Sequence, residues 1–194
     1  MCVYRRAGRW FVGLAVLCGL YGAPVAAQTT IESVVPGAAV PVAQIRVFFT
    51  PGNTVETAIA EVIAAARQRI LVQAYSFTNP LIVQALAEAK SRGVNVVVVL
   101  DKSNRTQRYS AADFTAHSGI ETLIDAKHAI AHNKVMIIDD QIVITGSYNF
   151  TRAAEKSNAE NLVIIESGPI AEKYVRNWQK HRNHAQSYLP KSKQ

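Results

Sequence analysis

One short part of the chain carries side chains that could act together in a reaction. His132 and Lys134 lie two residues apart before an apolar strand, so in extended chain they point to the same face. A second apolar stretch leads to Gly146, Ser147 and Asn149, and the last two share a face for the same reason. If the two strands pair, an imidazole, an ammonium, a hydroxyl and a carboxamide meet in one pocket.

That set of groups suits attack on a phosphodiester. The Lys134 ammonium would neutralise charge on the non-bridging oxygens, and His132 would attack phosphorus or protonate a leaving oxygen. A histidine in this role needs a carboxylate to orient it through its other ring nitrogen. Glu160, just before a later apolar strand, is the candidate. Gly146 is expected to let the backbone approach the ligand.

Two further features are open to more than one interpretation. Asp139 lies where the two strands turn, where it would either orient neighbours of the site or serve the fold alone. His128 and His132 could form a metal pair, but no further ligand has suitable spacing. The chain also lacks the clustered carboxylates expected around paired magnesium ions. We therefore predict a site without metal or cofactor.

Strand and helix patterns alternate around this region. The strands are short apolar runs stopped by turn residues, and the helices have apolar residues at intervals of three and four. Asn79 and Pro80 are typical of a helix start, and Gly93 of its end. The predicted strands cover residues 45–49, 70–75, 94–100, 122–124, 135–138, 141–145 and 162–165, and the predicted helices cover 54–67, 79–93, 108–117 and 171–187.

This alternation predicts an α/β fold. The strand at 94–100 is apolar at nearly every position, as expected for a strand that is covered on both faces. We therefore expect a mixed, largely parallel β-sheet flanked by helices on both faces. The sequence shows no internal repeat of this unit, so the His–Lys pair occurs once.

The N-terminus has the three-part pattern of a secretion signal. A basic stretch with Arg5, Arg6 and Arg9 is followed by an apolar run at 10–20 and by small residues up to Ala27. A helix that spans a bilayer needs about 20 residues, so the shorter run favours a cleaved signal over a retained anchor. We predict a signal peptide at 1–27, an extended leader at 28–44 and a domain at 45–194, located in the periplasm or secreted.

Charge and cysteine content narrow the classes of partner. The 194 residues include 21 basic and 14 acidic ones, which give a net charge of +7. Loss of three arginines with the signal would leave 18 basic and 14 acidic residues, a net charge of +4. Cys2 and Cys18 would leave with the signal, so the mature chain is expected to have no thiol chemistry. The positive balance favours polyanionic partners. The basic residues between 173 and 193 would either contact phosphates or form a solvated helix face.

The spacing of the site residues resembles the signature of the phospholipase D superfamily. The segment 158–161 also resembles the one that follows the signature in that family. Within the superfamily, the chain is similar to the small secreted bacterial endonucleases with a single motif. The resemblance implies a phospholipase D-like α-β-α sandwich over the mature body of the chain. The pattern is His132-x-Lys134-x4-Asp139-x6-Gly146-Ser147-x-Asn149.

The resemblance also implies a mechanism. Family members form a covalent phosphohistidine without a metal, and each active site uses two His–Lys motifs, one histidine attacking and the other protonating. A chain with one motif would obtain the second from a symmetric copy, so a homodimer with a shared site is expected. The implied catalytic residues are His132, Lys134, Ser147, Asn149, Glu160 and Asp139, and the implied substrate contacts are Lys134, Ser147, Asn149 and Gly146. In the family, the counterpart of Glu160 pairs with the histidine and that of Asp139 supports the fold or orients neighbours.

Three functions compete on these grounds. The preferred one is a metal-independent, non-specific endonuclease that hydrolyses DNA, with RNA as a second candidate substrate and no stable membrane association after signal cleavage. The alternative is a phospholipase D or phosphatidyl transferase with the same chemistry on lipids, although lipid-acting relatives are usually larger and carry two motifs. The third is a DNA-binding accessory protein without catalysis, which the intact motif disfavours.

Overall fold

The structure, a computed structural model, describes residues 41–52, 54–107 and 109–190. The predicted signal peptide and the leader up to residue 40 lie outside these residues. The first described strand begins at Gln44, one residue before the predicted strand. In chain order the elements are β1 (Gln44–Thr50), α1 (Val55–Ala65), β2 (Arg69–Ala74), α2 (Pro80–Ser91), β3 (Asn95–Asp101), a short 3-10 helix (Lys102–Arg105), α3 (Ala112–His117), β4 (Glu121–Asp125), β5 (Lys134–Ile138), β6 (Ile142–Gly146), α4 (Arg152–Lys156), β7 (Glu160–Glu166), α5 (Gly168–His184) and β8 (Gln186–Ser187).

The strands form one mixed sheet of eight in the order β1-β7-β6-β5-β2-β3-β4-β8. This confirms the mixed sheet, but the expectation that it is largely parallel is wrong. Among the described strands, only the β2–β3 and β3–β4 pairs are parallel, and the other five pairs are antiparallel. The reason lies in the connections. Helices α2 and α3 link the parallel strands, whereas the tight turn between β5 and β6 forces an antiparallel pair.

Helix α2 begins and ends as its sequence predicts. The Asn79 side chain accepts hydrogen bonds from the backbone N–H groups of Leu81 and Ile82, and Pro80 occupies the first turn. Past the last turn, Gly93 has a φ of 91°, a conformation that favours glycine. The helix leads directly into β3, which is buried from its second residue onward and forms the centre of the parallel part.

Helices cover both faces of the sheet, as predicted. On one face, α1 and α2 contribute Ile59, Ile63, Ile82 and Leu86 to the larger hydrophobic core. On the other face, α5 packs on the central strands through buried residues that include Trp178, whose indole N–H donates to the Val72 carbonyl at 2.9 Å. The central strands are therefore buried on both sides, and their ends are where polar side chains can meet solvent.

The structure departs from the predicted elements in three places. The helix expected at 108–117 begins at Ala112, where the Ser110 hydroxyl accepts from the Ala112 N–H. The last helix covers Gly168–His184, and the following residues pair with β4 as a short strand. Helix α4 has only five residues, too few for a periodic apolar pattern. In the described part of the chain, no helix has the length and apolar character needed to cross a membrane.

Candidate active site

The predicted site residues gather at one end of the sheet. Strand β5 begins at Lys134, opposite Ala74 at the end of β2. On its other side, β5 pairs with β6, which ends at Gly146, and Gly146 pairs with Leu162 near the start of β7. His132 precedes β5 and Glu160 opens β7, so both lie at this same end. The motif residues are therefore brought together by strand pairing, with the exception of Asp139.

His132 and Lys134 form a close pair. The Lys134 ammonium nitrogen lies 3.2 Å from the His132 Nε2 atom and donates to the His132 carbonyl at 2.9 Å. His132 is exposed, whereas Lys134 is 7% exposed. Burial lowers the pKa of Lys134, and the nearby charge of Glu160 opposes that shift. The pair thus presents an accessible imidazole beside a largely buried positive charge, and this burial strengthens the attraction of the charge for an anion.

Tyr75, which follows β2, holds this pair in place. Its ring lies 4.6 Å from the His132 ring between centroids, at 56°, and 5.2 Å from the Lys134 ammonium. The Tyr75 N–H donates to the Asn133 carbonyl at 2.9 Å, which ties the two segments together. The structure places Tyr75 against the site residues themselves.

Ser147 and Glu160 are joined directly. The Ser147 hydroxyl donates to Glu160 Oε2 at 2.6 Å and accepts from the Asn161 N–H at 3.0 Å. The other carboxylate oxygen of Glu160 accepts from the Asn158 side chain at 2.9 Å. Glu160 makes no hydrogen bond to His132 within the described chain, so its predicted role of orienting that imidazole stays a prediction.

Asn149 carries an unsatisfied polar atom. Its Oδ1 atom is buried and has no hydrogen-bond partner among the described residues. A carboxamide can present either its oxygen or its NH2 group after a flip. Asn149 also lines an open groove beside the site, so a ligand in that groove could satisfy it.

Gly146 lets strand β6 approach the backbone of Asn161 closely. Its φ is 151°, and a Cβ atom at this position would lie 2.3 Å from the Asn161 carbonyl oxygen. The close approach seen here is therefore to the backbone next to β7, and a contact between Gly146 and a ligand stays a prediction. That carbonyl accepts from the N–H groups of both Ser147 and Tyr148. Gly146 thereby fixes where the chain leaves β6 and where Ser147 points.

Asp139 lies at the opposite end of β5 from the site. Its carboxylate accepts from the backbone N–H groups of Arg67, Gln68 and Arg69 at 2.8 to 3.0 Å. These bonds fix the entry into β2, and the turn itself has a φ of 50° at Asp139 and 56° at Asp140. Asp139 therefore lies away from the other motif residues, which favours the second interpretation, that it serves the fold.

Replacing Asp139 with Asn should lower the free energy of unfolding by about 2 kcal/mol at neutral pH, because charged hydrogen bonds to backbone are lost. Burial alone would raise the pKa of Asp139, but the three backbone hydrogen bonds outweigh it and hold the pKa below its usual value. The stabilisation is therefore present above the unfolded-state pKa and disappears as the pH falls through the native one. Urea titrations at several pH values measure both effects.

The matched control is Asp140→Asn. Asp140 pairs with the Arg69 side chain, and both side chains are well exposed, so the pair should contribute less than about 1 kcal/mol. Equal losses in the two variants would contradict the role assigned to Asp139.

Two buried acids that the sequence analysis missed support the site. Asp101, at the end of β3, accepts from the Ala131 N–H at 2.7 Å and from the Ser103 N–H at 2.9 Å, which fixes the segment just before His132. Glu155 accepts from the Tyr148 hydroxyl at 2.9 Å and from backbone N–H groups at the start of α1. A buried acid must be hydrogen-bonded. For Asp101, its position directly after the apolar run of β3 was an available signal, whereas Glu155 lies in a polar segment that gave none.

The groove beside the site has a volume of about 780 Å³. Its lining combines aromatic, amide and cationic side chains, among them Tyr75, Gln107, Tyr109, Asn149 and Arg152. Tyr109 is 73% exposed, and Arg152 is exposed as well. The site therefore opens onto a surface that can contact an extended ligand.

These features define an α/β protein with a histidine–lysine site at the end of its sheet. The exposed imidazole, the adjoining ammonium and two neutral polar groups can bind and attack a phosphate ester. The family model for the PLD-like domain of cardiolipin synthase matches residues 59–182. The chain belongs to this phospholipase D-like family.

Individual relatives agree with that assignment. A phospholipase D from Rickettsia bellii is 46% identical over 130 residues, which cover 67% of this chain and 65% of that protein. The chain thus spans less than two thirds of that relative. The crystal structure of Nuc from Salmonella typhimurium, a phospholipase D family member, is 39% identical with a TM-score of 0.72, covering 75% of this chain and 97% of Nuc. NucT from Helicobacter pylori is 25% identical with a TM-score of 0.69, covering 75% and 99%.

Proposed function

We propose that this protein is a phosphodiesterase that hydrolyses DNA as a non-specific endonuclease, with RNA as a second candidate substrate. The observation that carries the proposal is the His132–Lys134 pair at an accessible end of the sheet, with a 3.2 Å separation between Nζ and Nε2. The similarity to Nuc, which extends over nearly all of that protein, supports it.

The proposed reaction runs in two steps. His132 Nε2 attacks phosphorus, the bond from phosphorus to the leaving oxygen breaks, and a second imidazole supplies the proton that this oxygen takes up. Water then attacks phosphorus and gives its proton to the second imidazole, and the phosphorus–nitrogen bond breaks to release a phosphate monoester. Before attack, the Lys134 ammonium must turn from Nε2 to a phosphate oxygen, because the Nε2 lone pair must be free to bond to phosphorus.

The second imidazole is proposed to come from another copy of this chain. The chain contributes one His–Lys pair, and a two-fold axis beside His132 would bring two identical pairs to one phosphorus. An apolar strip on the edge strand β1 is suited to such a contact. The strip consists of Ile45, Val47 and Phe49, which are 43%, 53% and 69% exposed. Phe49 pairs with Asn161, the residue that donates to Ser147, so the strip adjoins the site.

Phe49→Glu should weaken the homodimer by about 30-fold, or about 2 kcal/mol, because it places a charge in an apolar contact. Sedimentation equilibrium measures the dissociation constant. Leu189→Glu is the control, since Leu189 is 84% exposed and lies beyond β8 at the other edge of the sheet. Equal dimer affinity in both variants would place the interface elsewhere, and an active wild-type monomer would refute the shared site.

The groove favours nucleic acid over lipid. The exposed ring of Tyr109 offers a face on which a base can stack, and the edge of Tyr75 lines the same groove. Arg152 can pair with a phosphate. The alternative, a phospholipase D or phosphatidyl transferase, is supported by the name of the matched domain and by that of the Rickettsia relative. The polar groups of the site can act on either phosphodiester.

Hydrolysis of supercoiled plasmid DNA should persist in excess EDTA, because the proposed chemistry uses imidazole and ammonium groups rather than a metal ion. The assay runs beside one for choline release from phosphatidylcholine vesicles, with the His132→Asn variant as a blank for contaminating nucleases. A strict magnesium requirement would contradict the two-histidine scheme. Faster choline release than DNA cleavage would establish the lipid alternative, and inactivity on both substrates would favour an accessory protein without catalysis.

The cellular location is proposed on sequence pattern alone. The basic start, the apolar run and the small residues up to Ala27 support export to the periplasm or the medium. Residues 1–27 would then be absent from the mature protein.

A further inference from the structure

A second cluster of ionisable side chains lies away from the candidate active site. It combines a carboxylate with three imidazoles, and one potential ligand atom from each lies within 4.8 Å of the others. Asp125 is the last residue of β4, and β4 is separated from β5 by two strands, a distance of about 14 Å at the usual strand spacing. The members are Asp125, His128, His181 and His184.

The cluster joins three parts of the fold. Asp125 closes β4, His128 lies in the connection that leads to His132, and the other two histidines lie in the last turn of α5. The Asp125 side chain is fully buried, whereas that of His128 is 43% exposed. A ligand held here would fasten the end of α5 to the segment that delivers the active-site histidine.

The contacts inside the cluster leave ring nitrogens without partners. Asp125 Oδ2 lies 2.7 Å from His181 Nδ1 and 3.7 Å from His128 Nε2, the latter too long for a hydrogen bond. His184 Nε2 is buried 3.1 Å from Asp125 Oδ1, yet the two groups are not aligned for a hydrogen bond. Among the described residues, His184 Nε2 is therefore buried without a hydrogen-bond partner, and His128 Nε2 faces the carboxylate from beyond hydrogen-bond distance.

Charged imidazole rings would not be a favourable alternative in this cluster. The ring centroids lie 4.9 to 5.7 Å apart, so three imidazolium ions would repel one another around a single carboxylate. A dication bound to the neutral rings would instead satisfy all the inward nitrogens at once.

We propose that Asp125, His128, His181 and His184 form a four-coordinate site for a transition-metal dication, with zinc as the fitting ion. Three nitrogens and one oxygen match the ligands that zinc takes in tetrahedral sites. Bonds of about 2.0 to 2.1 Å place tetrahedral ligands about 3.3 Å apart. The longer separations in the cluster must therefore contract, and the 2.7 Å contact between Asp125 Oδ2 and His181 Nδ1 must lengthen. The exposed His128, on a connecting segment, is the ligand that can move. With four protein ligands the site is structural.

Spacing along the sequence gave no sign of this site. His128 was paired there with His132, which lies in the active site, whereas the two histidines that lie beside it in the fold are more than fifty residues away in α5. The basic C-terminal helix thus contacts the rest of the domain, since His181 and His184 face Asp125 and Arg182 pairs with Glu121. This proposal does not depend on the reaction proposed above.

Cobalt absorption tests the proposal on the full chain after dialysis against a chelator. One equivalent of Co2+ should give the intense visible bands of a tetrahedral site, and zinc should displace them. Zinc at a hundred times its dissociation constant should raise the Tm by about 5 to 10 °C. His181→Gln with His184→Gln should remove the bands and weaken zinc binding by at least about 100-fold. His117→Gln, outside the cluster, should behave as wild type.

If the double variant fails to fold, His128→Gln keeps the test decisive, because the exposed His128 makes no hydrogen bond through its ring to Asp125. It should lose the tetrahedral bands and the zinc-dependent rise in Tm. Zinc affinity in His128→Gln equal to that of wild type would overturn the proposal, as would octahedral cobalt bands in wild type. These readouts do not involve hydrolysis, so a protein without nuclease activity would still decide the question.

Discussion

Replacing His132 with Asn should reduce DNA hydrolysis by about 10⁴-fold or more, because a carboxamide can neither attack phosphorus nor exchange a proton at neutral pH. The fold should survive, since His132 is exposed and its ring lies beside Tyr75 and the Lys134 ammonium rather than in the core. Initial rates on plasmid DNA measure the loss, and circular dichroism with a urea titration verifies the fold. His117→Asn is the control, because His117 is a histidine on α3 that lies outside the site.

Mixing the variant with wild type separates a shared site from two independent ones. If both imidazoles are required, a mixed dimer is inactive, and random exchange of equal amounts leaves about one quarter of the dimers active. Independent sites would leave one half of the activity. Tag capture of mixed dimers verifies that the subunits have exchanged. Full activity of His132→Asn alone would remove His132 from the mechanism, and one-half activity in the mixture would remove the dimer from it.

The parts of the fold that the sequence predicted are those that local pattern determines. Apolar runs and helix caps are determined by residues that are neighbours in the sequence, so β3 and the start of α2 at Asn79 were predictable. The grouping of His132, Lys134 and Ser147 was predictable too, because a hairpin brings the ends of its two strands together. Each of these inferences needed only residues that are close along the chain.

The parts that escaped prediction depend on contacts between distant segments. The prediction of a largely parallel sheet was wrong in part because β1 and β7, which lie more than a hundred residues apart in the chain, form an antiparallel pair. Asp139 was placed in the site by its position in the motif, but its hydrogen bonds go to the turn before β2. The histidines of α5 meet Asp125 only once the helix packs on the sheet. The spacing of residues along the sequence does not reveal such contacts.

The role of Gly146 belongs to this second group and carries the other large expected effect. Gly146→Ala should lower the free energy of unfolding by about 3 kcal/mol or more, which corresponds to a fall in Tm of about 6 to 12 °C. Its φ of 151° is unfavourable for alanine, and the added Cβ would lie 2.3 Å from the Asn161 carbonyl oxygen, which is backbone and cannot rotate away. Relief requires β6 and β7 to separate where Ser147 and Glu160 meet.

Gly93→Ala is the matched control for the conformational part of this effect. Gly93 also has a positive φ, 91°, but a Cβ there would have no neighbour within 4 Å, so the cost should be about 1 to 2 kcal/mol. Urea titrations of both variants separate backbone strain from collision with Asn161. Since Ser147 must shift in Gly146→Ala, its DNA hydrolysis below the Tm should also fall, whereas Gly93→Ala should retain it. Equal stability losses in the two variants would contradict the close packing that positions Ser147 beside Glu160.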